Sequence, residues 1–309
     1  MFRYFLKRLA YSIFTIFVII TVLFFVLRSI PGGPFTRERA IPDEILRIIE
    51  QKYNLDIPLY QQYFNYLKGL ITFDFGPSYQ KIGTNVNDII EAGFPNTARV
   101  GFFAVLFIII IGIPVGIISA FKMGKPVDYM VMFMATLGVT LPSFVVATLF
   151  IHFFAGKLGW VPPFGISVPA GYIGPVLALS GYSLSFVARL TRSSMLEVLR
   201  ADYIQTARAN GLSEFSVIVK HAVKNAIIPV ITYMGPTIAT ILTGSFVVER
   251  IFAIPGIGRY FVESVTNRDY TTYMAVTILF AVFYVFMILL VDIAYALVDP
   301  RIRFEKEKV

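Results

Sequence analysis

The chain has 309 residues, 57% of them hydrophobic and 15% charged, with a net charge of +8 and no cysteine. Soluble domains carry about 25% charged residues, so the composition points to lipid as the main solvent, and the absence of cysteine excludes disulfides, thiolate metal sites and thiol nucleophiles. The basic residues lie in short segments between apolar runs and form no stripe interleaved with aromatics, which argues against nucleic acid as a partner and for membrane orientation.

In chain order, Arg3, Lys7 and Arg8 precede the apolar run Leu9 to Leu27. That run is too long for a signal-peptide core, and Arg28-Ser29-Ile30-Pro31 offers no small-residue cleavage site, so it reads as a retained first helix. Residues 31–97 follow as a long segment with helical signals of its own. Ile45, Ile48, Ile49 and Tyr53 recur at helical spacing after Pro42-Asp43-Glu44, a proline and acidic start suited to a helix N-terminus. Tyr60, Tyr63, Phe64, Leu67 and Ile71 repeat the pattern. The segment is expected to form a small cap packed on the membrane part, with a surface for an external partner.

Further uncharged stretches run Val100 to Phe121, Tyr129 to Ala155, Tyr172 to Ala188, Ile227 to Val248 and Tyr273 to Val298. Each is long enough to span about 30 Å of hydrocarbon, or close to it, so an all-α protein with six transmembrane helices is expected. Pro162, Pro163, Pro169 and Gly171 blur the start of the fourth. Gly112 and Gly116 form a G-x-x-x-G pair around Pro114, expected to serve packing within the chain. The organisation reads as residues 1–30 (first helix), 31–97 (external helical segment) and 98–309 (core with five spans).

An even number of spans puts both ends on one side. Arg3, Lys7, Arg8, Lys122, Lys125, Arg189, Arg192, Arg200, Arg208, Lys220, Lys224, Arg301, Arg303, Lys306 and Lys308 share that side, which the distribution of short-loop cations makes cytoplasmic. Lys157, Arg250, Arg259 and Arg268 face the other.

Little in the sequence supports an enzyme. His152 and His221 fall on opposite sides of the expected membrane, and neither an H-E-x-x-H nor a G-x-S-x-G pattern occurs. Asp292 is the one acidic residue read as lying well inside a span, too few for a carboxylate dyad. Structural pairing is expected for it, and a headgroup-level position for His152. No G-x-x-x-x-G-K-[ST] loop is present, so if nucleotide drives this chain another polypeptide binds it.

The connection from Arg189 to Asn225 is much longer than a usual loop. Asp202-Tyr203-Ile204-Gln205-Thr206-Ala207-Arg208-Ala209-Asn210-Gly211-Leu212-Ser213 combines helix-compatible residues with a glycine suited to a left-handed helix end. Ser213 is placed to cap a second helix, with Leu212 and Val217 spaced as a hydrophobic staple. A helix, a tight turn and another helix are expected. Ala207 would let a partner approach the backbone, Tyr203 and Arg208 would supply anchor contacts, and bulk at Gly211 would block the turn.

Gln205-Thr206-Ala207-x-x-x-Gly211, followed by Asn225-Ala226-Ile227-Ile228-Pro229, resembles the coupling loop of ABC importer permeases, and Thr-Ala-Arg-Ala-x-Gly-Leu-Ser is similar to its oligopeptide, dipeptide and nickel branch. Val248-Glu249-Arg250-Ile251-Phe252-Ala253-Ile254-Pro255-Gly256-Ile257-Gly258-Arg259 and Asn267-Arg268-Asp269-Tyr270 resemble that branch's external loop. Asp292 to Arg303 resembles its C-terminal signature, and Asp74-Phe75-Gly76-Pro77-Ser78-Tyr79 the external segment of its first permease subunit. Two departures stand out: Gln205 replaces an acidic residue, and the spacing from Gly211 to Pro229 exceeds the general pattern while agreeing with the peptide branch.

The resemblance implies a type I importer permease fold with a coupling loop at about 200–229 and a prokaryotic inner-membrane location. It also implies a homologous second permease, two cytoplasmic ATP-binding subunits holding ATP and Mg, and an external substrate-binding protein. The chain itself would carry no cofactor or metal. Gly138, Thr140, Pro142 and Ser143 are candidate pathway positions, while Glu249, Pro255, Gly256 and Arg259 belong to the external loop. The expected cargo is oligopeptide or dipeptide. The alternatives are a nickel or other small-solute permease of the same branch and, from another class, an ion-coupled secondary transporter working through Asp292.

Overall fold

The computed structural model describes residues 2–35 and 43–298, with side chains for 6–35 and 44–293. Pro42, the side chain of Arg3, and Asp299 to Arg303, Lys306 and Lys308 lie outside the described residues. Among the described residues there is no strand, only a bridge between Pro77 and Asn85. Five helical stretches are long and apolar enough to cross a membrane: Leu6–Arg28, Val86–Phe121, Pro169–Leu199, Ile228–Ile251 and Tyr270–Ile293. A sixth is broken, with Pro126–Thr140 and Ser143–Lys157 meeting at 105°.

The elements in order are α1 (Phe2–Arg28), α2 (Asp43–Lys52), α3 (Leu59–Ile71), α4 (Val86–Phe107), α5 (Ile113–Phe121), α6 (Pro126–Thr140), α7 (Ser143–Phe150), α8 (Ile173–Leu199), α9 (Asp202–Ala209), α10 (Glu214–Ser216), α11 (Val223–Ala226), α12 (Ile228–Leu242), α13 (Phe246–Ile251), α14 (Ile257–Thr266) and α15 (Tyr270–Val298). π-helical segments Ile108–Gly112, Ile151–Lys157 and Val217–Ala222 and a 3-10 turn Pro169–Tyr172 interrupt or extend them. The first π segment lies just before Pro114, whose ring would otherwise press on the carbonyl four residues back in a regular α-helix.

Three expected boundaries change. The second span begins at Val86 rather than Val100, so the helix reaches into the segment read as external and takes Pro95 into its interior. The third is not one helix: Pro142 has no N–H to continue α6, Leu141 is extended, and the chain turns into α7. The fourth runs on to Leu199, so Arg189 and Arg192 stand on α8 instead of in a connecting loop.

The chain divides into two compact units, 98–254 with 286 onward, and 2–97 with 255–285. In the first, α5, α6, α7 and α12 all pack on α8. Small residues permit it. Lipid supplies no hydrophobic push between helices, so close van der Waals approach must hold them, and α8 buries Gly174, Ala178, Ser180, Ser183, Ser185 and Ala188. Gly116 faces Ala188 and Thr191, and Gly112 faces Val187 and Leu184, so the G-x-x-x-G pair serves packing within the chain, as expected. Gly138 lies against Ser185 and Gly181. Polar bonds reinforce the contact: Arg192 donates to both carboxylate oxygens of Asp128 at 2.7 and 2.8 Å, and the Ser119 hydroxyl donates to the same carboxylate. Removing one partner of such a buried pair costs about 3–5 kcal/mol.

The second unit is built around Phe24, Leu27, Phe35, Tyr79, Tyr270 and Met274. Both expected helices of the 31–97 segment form, and Ile49, Tyr53 and Tyr63 of the expected pattern pack, but the packed faces turn to take in Leu46 and Tyr66 as well. Leu46 and Ile49 of the first, Tyr53 just after it, and Tyr63 and Tyr66 of the second pack on this core, while Ile45, Ile48, Tyr60, Phe64 and Ile71 are exposed. Two motifs distant in sequence meet here. Asp269, 4% exposed, accepts from the Ser78 hydroxyl at 2.5 Å and the Tyr79 N–H at 3.1 Å, and caps α15 by accepting from the Thr272 N–H and hydroxyl. Arg28 donates to the Tyr79 hydroxyl at 3.2 Å, and Arg268 to the carbonyls of Pro31 and Gly33.

Two outcomes follow from this packing. Gly116→Leu, whose Cβ would stand 2.5 Å from the Ala188 carbonyl oxygen, lowers the melting temperature of the purified protein by a destabilisation of about 2 kcal/mol, whereas Gly181→Ala, with nothing within 4 Å, leaves it unchanged. Asp269→Ala strands several buried donors and destabilises the second unit by about 3 kcal/mol or more, read as faster proteolysis within 31–97.

Candidate functional site

The segment between α8 and α12 turns on ordinary capping chemistry. Helix α9 starts after Ala201, which is extended, and carries Asp202 in its first turn, where a negative charge suits the helix dipole. It ends in a Schellman turn: the Gly211 N–H donates to the Arg208 carbonyl at 2.9 Å and the Leu212 N–H to the Ala207 carbonyl at 3.4 Å, with Gly211 at φ +79. Ser213 then caps the next helix, its hydroxyl accepting from the Ser216 N–H at 3.3 Å. The helix, turn and helix read from the sequence are all present.

The two faces of α9 differ. Ile204 and Ala207 point into a buried cluster with Ala120, Met195, Val217, Ala222 and Ala226. Ala207 is 6% exposed, which corrects the expectation that it lets a partner approach: its small size serves packing inside the chain. Asp202, Tyr203, Gln205, Thr206, Arg208, Ala209, Gly211, Leu212 and Ser213 are exposed. Arg208 forms a two-pronged ion pair with Glu214 across the turn, at 2.9 and 3.3 Å, and Tyr203 accepts from the Asn225 side chain at 2.9 Å. Both expected anchors are thus engaged within the chain. Nothing lies within 4 Å of a Cβ built on Gly211, so bulk alone does not block the turn; the left-handed backbone is what excludes other residues.

Sequence reasoning missed Phe215, which is 76% exposed two positions after the cap and stands near Leu212 in the chain as a second exposed apolar group. It also missed Glu214, whose only signal was an acidic residue six positions after Arg208. Asp128 escaped notice because the third stretch was started one residue later, at Tyr129, so a carboxylate inside α6 was not weighed beside Asp292.

The other singled-out residues lie apart from this segment. Thr140, Pro142 and Ser143 sit at the bend between α6 and α7, where the Thr140 hydroxyl bonds back to the Thr136 carbonyl. They do not line the cleft of about 1020 Å³ between α4 and the start of α8, which is bounded by Arg99, Phe103, Phe107, Ser167, Tyr172 and Ile173. Glu249 is buried on α13, its carbonyl accepting from the Ile254 N–H at 2.8 Å. In the second unit Pro255 accepts from the Asn96 side chain at 3.0 Å, Gly256 is buried before α14, and Arg259 is exposed beside Glu263 at 3.4 Å. His152 is exposed, with its ring 5.0 Å from that of Phe153, and Asp292 is partly buried on α15. Among the described residues no three His, Cys, Asp or Glu side chains converge as a metal site.

Burial pushes the Tyr79 phenol above its ordinary value of 10, against the opposing pull of Arg28. A raised folded value means that the folded state holds this proton more tightly. Its contribution to stability is therefore complete below pH 10 and lost as the pH rises through the folded value. Thermal unfolding of the second unit is expected to move to lower temperature above pH 10, and less so in Tyr79→Phe.

Apolar spans gathered around α8, together with a capped helix pair between the fourth and fifth, define a multi-pass membrane protein of the ABC importer permease class. The chain belongs to the family described as binding-protein-dependent transport system inner membrane component, which matches residues 112–304; the N-terminal component of the same systems matches 1–101. Such proteins are inner-membrane transport permeases. The chain is 47% identical to the dipeptide transport system permease protein DppB of Bacillus subtilis (strain 168), over 99% of both chains. It is 45% identical to the oligopeptide transport system permease protein OppB of Salmonella typhimurium, over 98% of this chain and 100% of that one. A chain of the inward-facing MetNI methionine ABC transporter superposes with a TM-score of 0.54 at 17% identity, covering 68% of this chain and 96% of its own, a likeness of fold alone.

Proposed function

We propose that this chain is a permease subunit of an ATP-driven importer that moves oligopeptides or dipeptides delivered by an external binding protein. Full-length likeness to permeases named for dipeptide and oligopeptide transport supports the peptide reading over nickel. The chain would pair with a homologous second permease. Two cytoplasmic ATPases, which hold ATP and Mg, would dock on the α9 to α10 segment. Both termini would be cytoplasmic, with 1–30, 31–97 and 98–309 as first helix, external segment and core.

The observation that carries docking is the two-sided build of α9. Its inner face is fixed to the core through Ile204 and Ala207, while its outer side presents Asp202, Gln205 and Thr206, continued by the exposed Leu212 and Phe215. A ridge fixed from behind moves with the helix behind it. Displacement of α9 by closing ATPases would pass to α8 through the two-residue link Arg200-Ala201 and the shared cluster at Met195, and a two-state shift of the spans would open the pathway alternately to each side. Glu249, Pro255, Gly256 and Arg259 would belong to the external face, and the bend at Thr140, Pro142 and Ser143 to the pathway.

Replacing an exposed aromatic anchor at an interface costs about 2 kcal/mol, about thirty-fold in affinity. Phe215→Asp should therefore leave membrane insertion intact while ATPase recovery in copurification and peptide uptake both fall at least tenfold. Undiminished ATPase recovery would count against docking here. Uptake by this chain alone in ATP-free vesicles, abolished by Asp292→Asn, would favour an ion-coupled carrier instead.

A further inference from the structure

The polar cluster at Asp128 has no part in the docking surface, yet it ties three helices and a turn of the first unit together. Asp128 is 3% exposed and sits in the first turn of α6. One of its carboxylate oxygens accepts from the Ser119 hydroxyl of α5 and from Arg192 Nε of α8, at 2.5 and 2.7 Å. The other accepts from Arg192 Nη2 at 2.8 Å and from the Gly124 N–H at 3.0 Å, in the turn between α5 and α6. The α5 end, the turn, α6 and α8 are thereby pinned to one carboxylate.

Two further contacts continue the seam along the same helices. Arg189 donates to the Thr136 hydroxyl, and Gly138 lies against Ser185 and the Gly181 carbonyl, where the lack of a Cβ allows the approach. The seam ends where α6 ends, at Thr140, just before the 105° turn into α7. At its other end Arg192 stands seven residues before Leu199, about two helical turns from the start of the link to α9.

Resting on the transport reading above, we propose that Asp128 and Arg192 are positioning residues that make α6 and α8 move as one body, so that displacement of α9 is delivered to the elbow at Leu141-Pro142. Their side chains are engaged with each other, with Ser119 and with the Gly124 N–H. Their work is mechanical: with the pair intact, α8 cannot shift along α6 without stripping a buried carboxylate of its donors, and the conformational change is forced to the next place where backbone continuity is already broken. Without the pair, α8 can yield locally, and the push from α9 dissipates before it reaches the elbow.

The test uses the full transporter, with second permease, ATPases and binding protein, reconstituted in lipid vesicles, and reads peptide uptake and ATP hydrolysis separately. In Asp128→Asn the assembled complex is expected to hydrolyse ATP within about twofold of the native rate while uptake per ATP falls at least tenfold; Arg192→Lys, which keeps the charge but loses the fork, falls between. The chain has no cysteine, so Thr136→Cys with Arg189→Cys, in complexes whose other subunits are made cysteine-free, allows α6 and α8 to be bridged by a short bifunctional thiol reagent. Bridging should leave the uptake-to-hydrolysis ratio of the double-cysteine protein unchanged, and should restore that ratio when Asp128→Asn is added. Loss of uptake on bridging in the Asp128 background would show that the helices must slide, and would overturn the proposal. So would Asp128→Asn losing uptake and hydrolysis only in proportion to assembled complex, or keeping native uptake. Failure of the transport reading is distinct: the native complex itself would then show uptake that does not depend on ATP.

Discussion

Close approach of helices to α8 is the constraint on which the first unit depends. In water, an apolar face is driven against its neighbour; in lipid that drive is absent, and helices stay together by packing and by polar bonds. Helix α8 meets the requirement with buried Gly, Ala and Ser along its length and with partners that give up their own side chains at the points of nearest contact, Gly112, Gly116 and Gly138. A larger residue at Gly116 would meet the Ala188 carbonyl itself, and one at Gly112 or Gly138 would press on the Val187 or Ser185 side chain. The same close approach lets short polar reaches, such as Arg192 to Asp128, be completed inside the protein instead of in lipid.

A second constraint is that backbone groups at membrane depth must be satisfied within the protein. Proline breaks that rule locally, and the chain responds in two ways. Before Pro114 the helix widens to a π turn and continues, so α4 and α5 act as one rod. At Pro142 it does not continue, and α6 and α7 meet at a steep angle. Both prolines lie in stretches with the same apolar composition. The difference is the extended residue Leu141 ahead of the second, which ends the ladder outright. Bends and rods therefore alternate around α8, which gives the unit one firm shaft and one elbow.

Sequence reading succeeded where the signal was local or faced lipid. Helix α1 is mostly exposed to the surroundings and reads as an uninterrupted apolar run, so its existence and type were plain. The turn at Gly211 and the cap at Ser213 were legible because each is decided by residues within five positions of one another. Helix α8 was the hardest span to delimit for a physical reason: it is the most buried, so packing selects small and polar residues that dilute the apolar signal. The packed faces of α2 and α3 were legible only in part: Ile49, Tyr53 and Tyr63 pack on the core, but so do Leu46 and Tyr66, which lie outside the expected pattern, since periodicity alone does not say which side has a neighbour. The joining of Ser78 to Asp269 spans 191 residues, and no short-range pattern announces it.

Burial of Ala207 changes what the proposed docking segment offers a partner. An alanine on the outer face would have meant a flat surface on which a partner's backbone could rest; an alanine turned inward means that α9 is held tightly from behind, and that the outer contacts must come from other side chains. Arg208 is occupied by Glu214, which leaves Asp202 as the charged group of the α9 ridge without an ion pair among the described residues. The substitution of Gln205 for an acidic residue then weakens a charge pattern in which Arg208 was already neutralised. On the proposed docking reading, recognition would rest on Leu212 and Phe215, apolar groups at the tip of the turn, with Asp202 setting orientation. Affinity from such a tip is insensitive to salt, whereas a charge-paired dock weakens as salt screens it, so the dependence of ATPase recovery on ionic strength distinguishes the two.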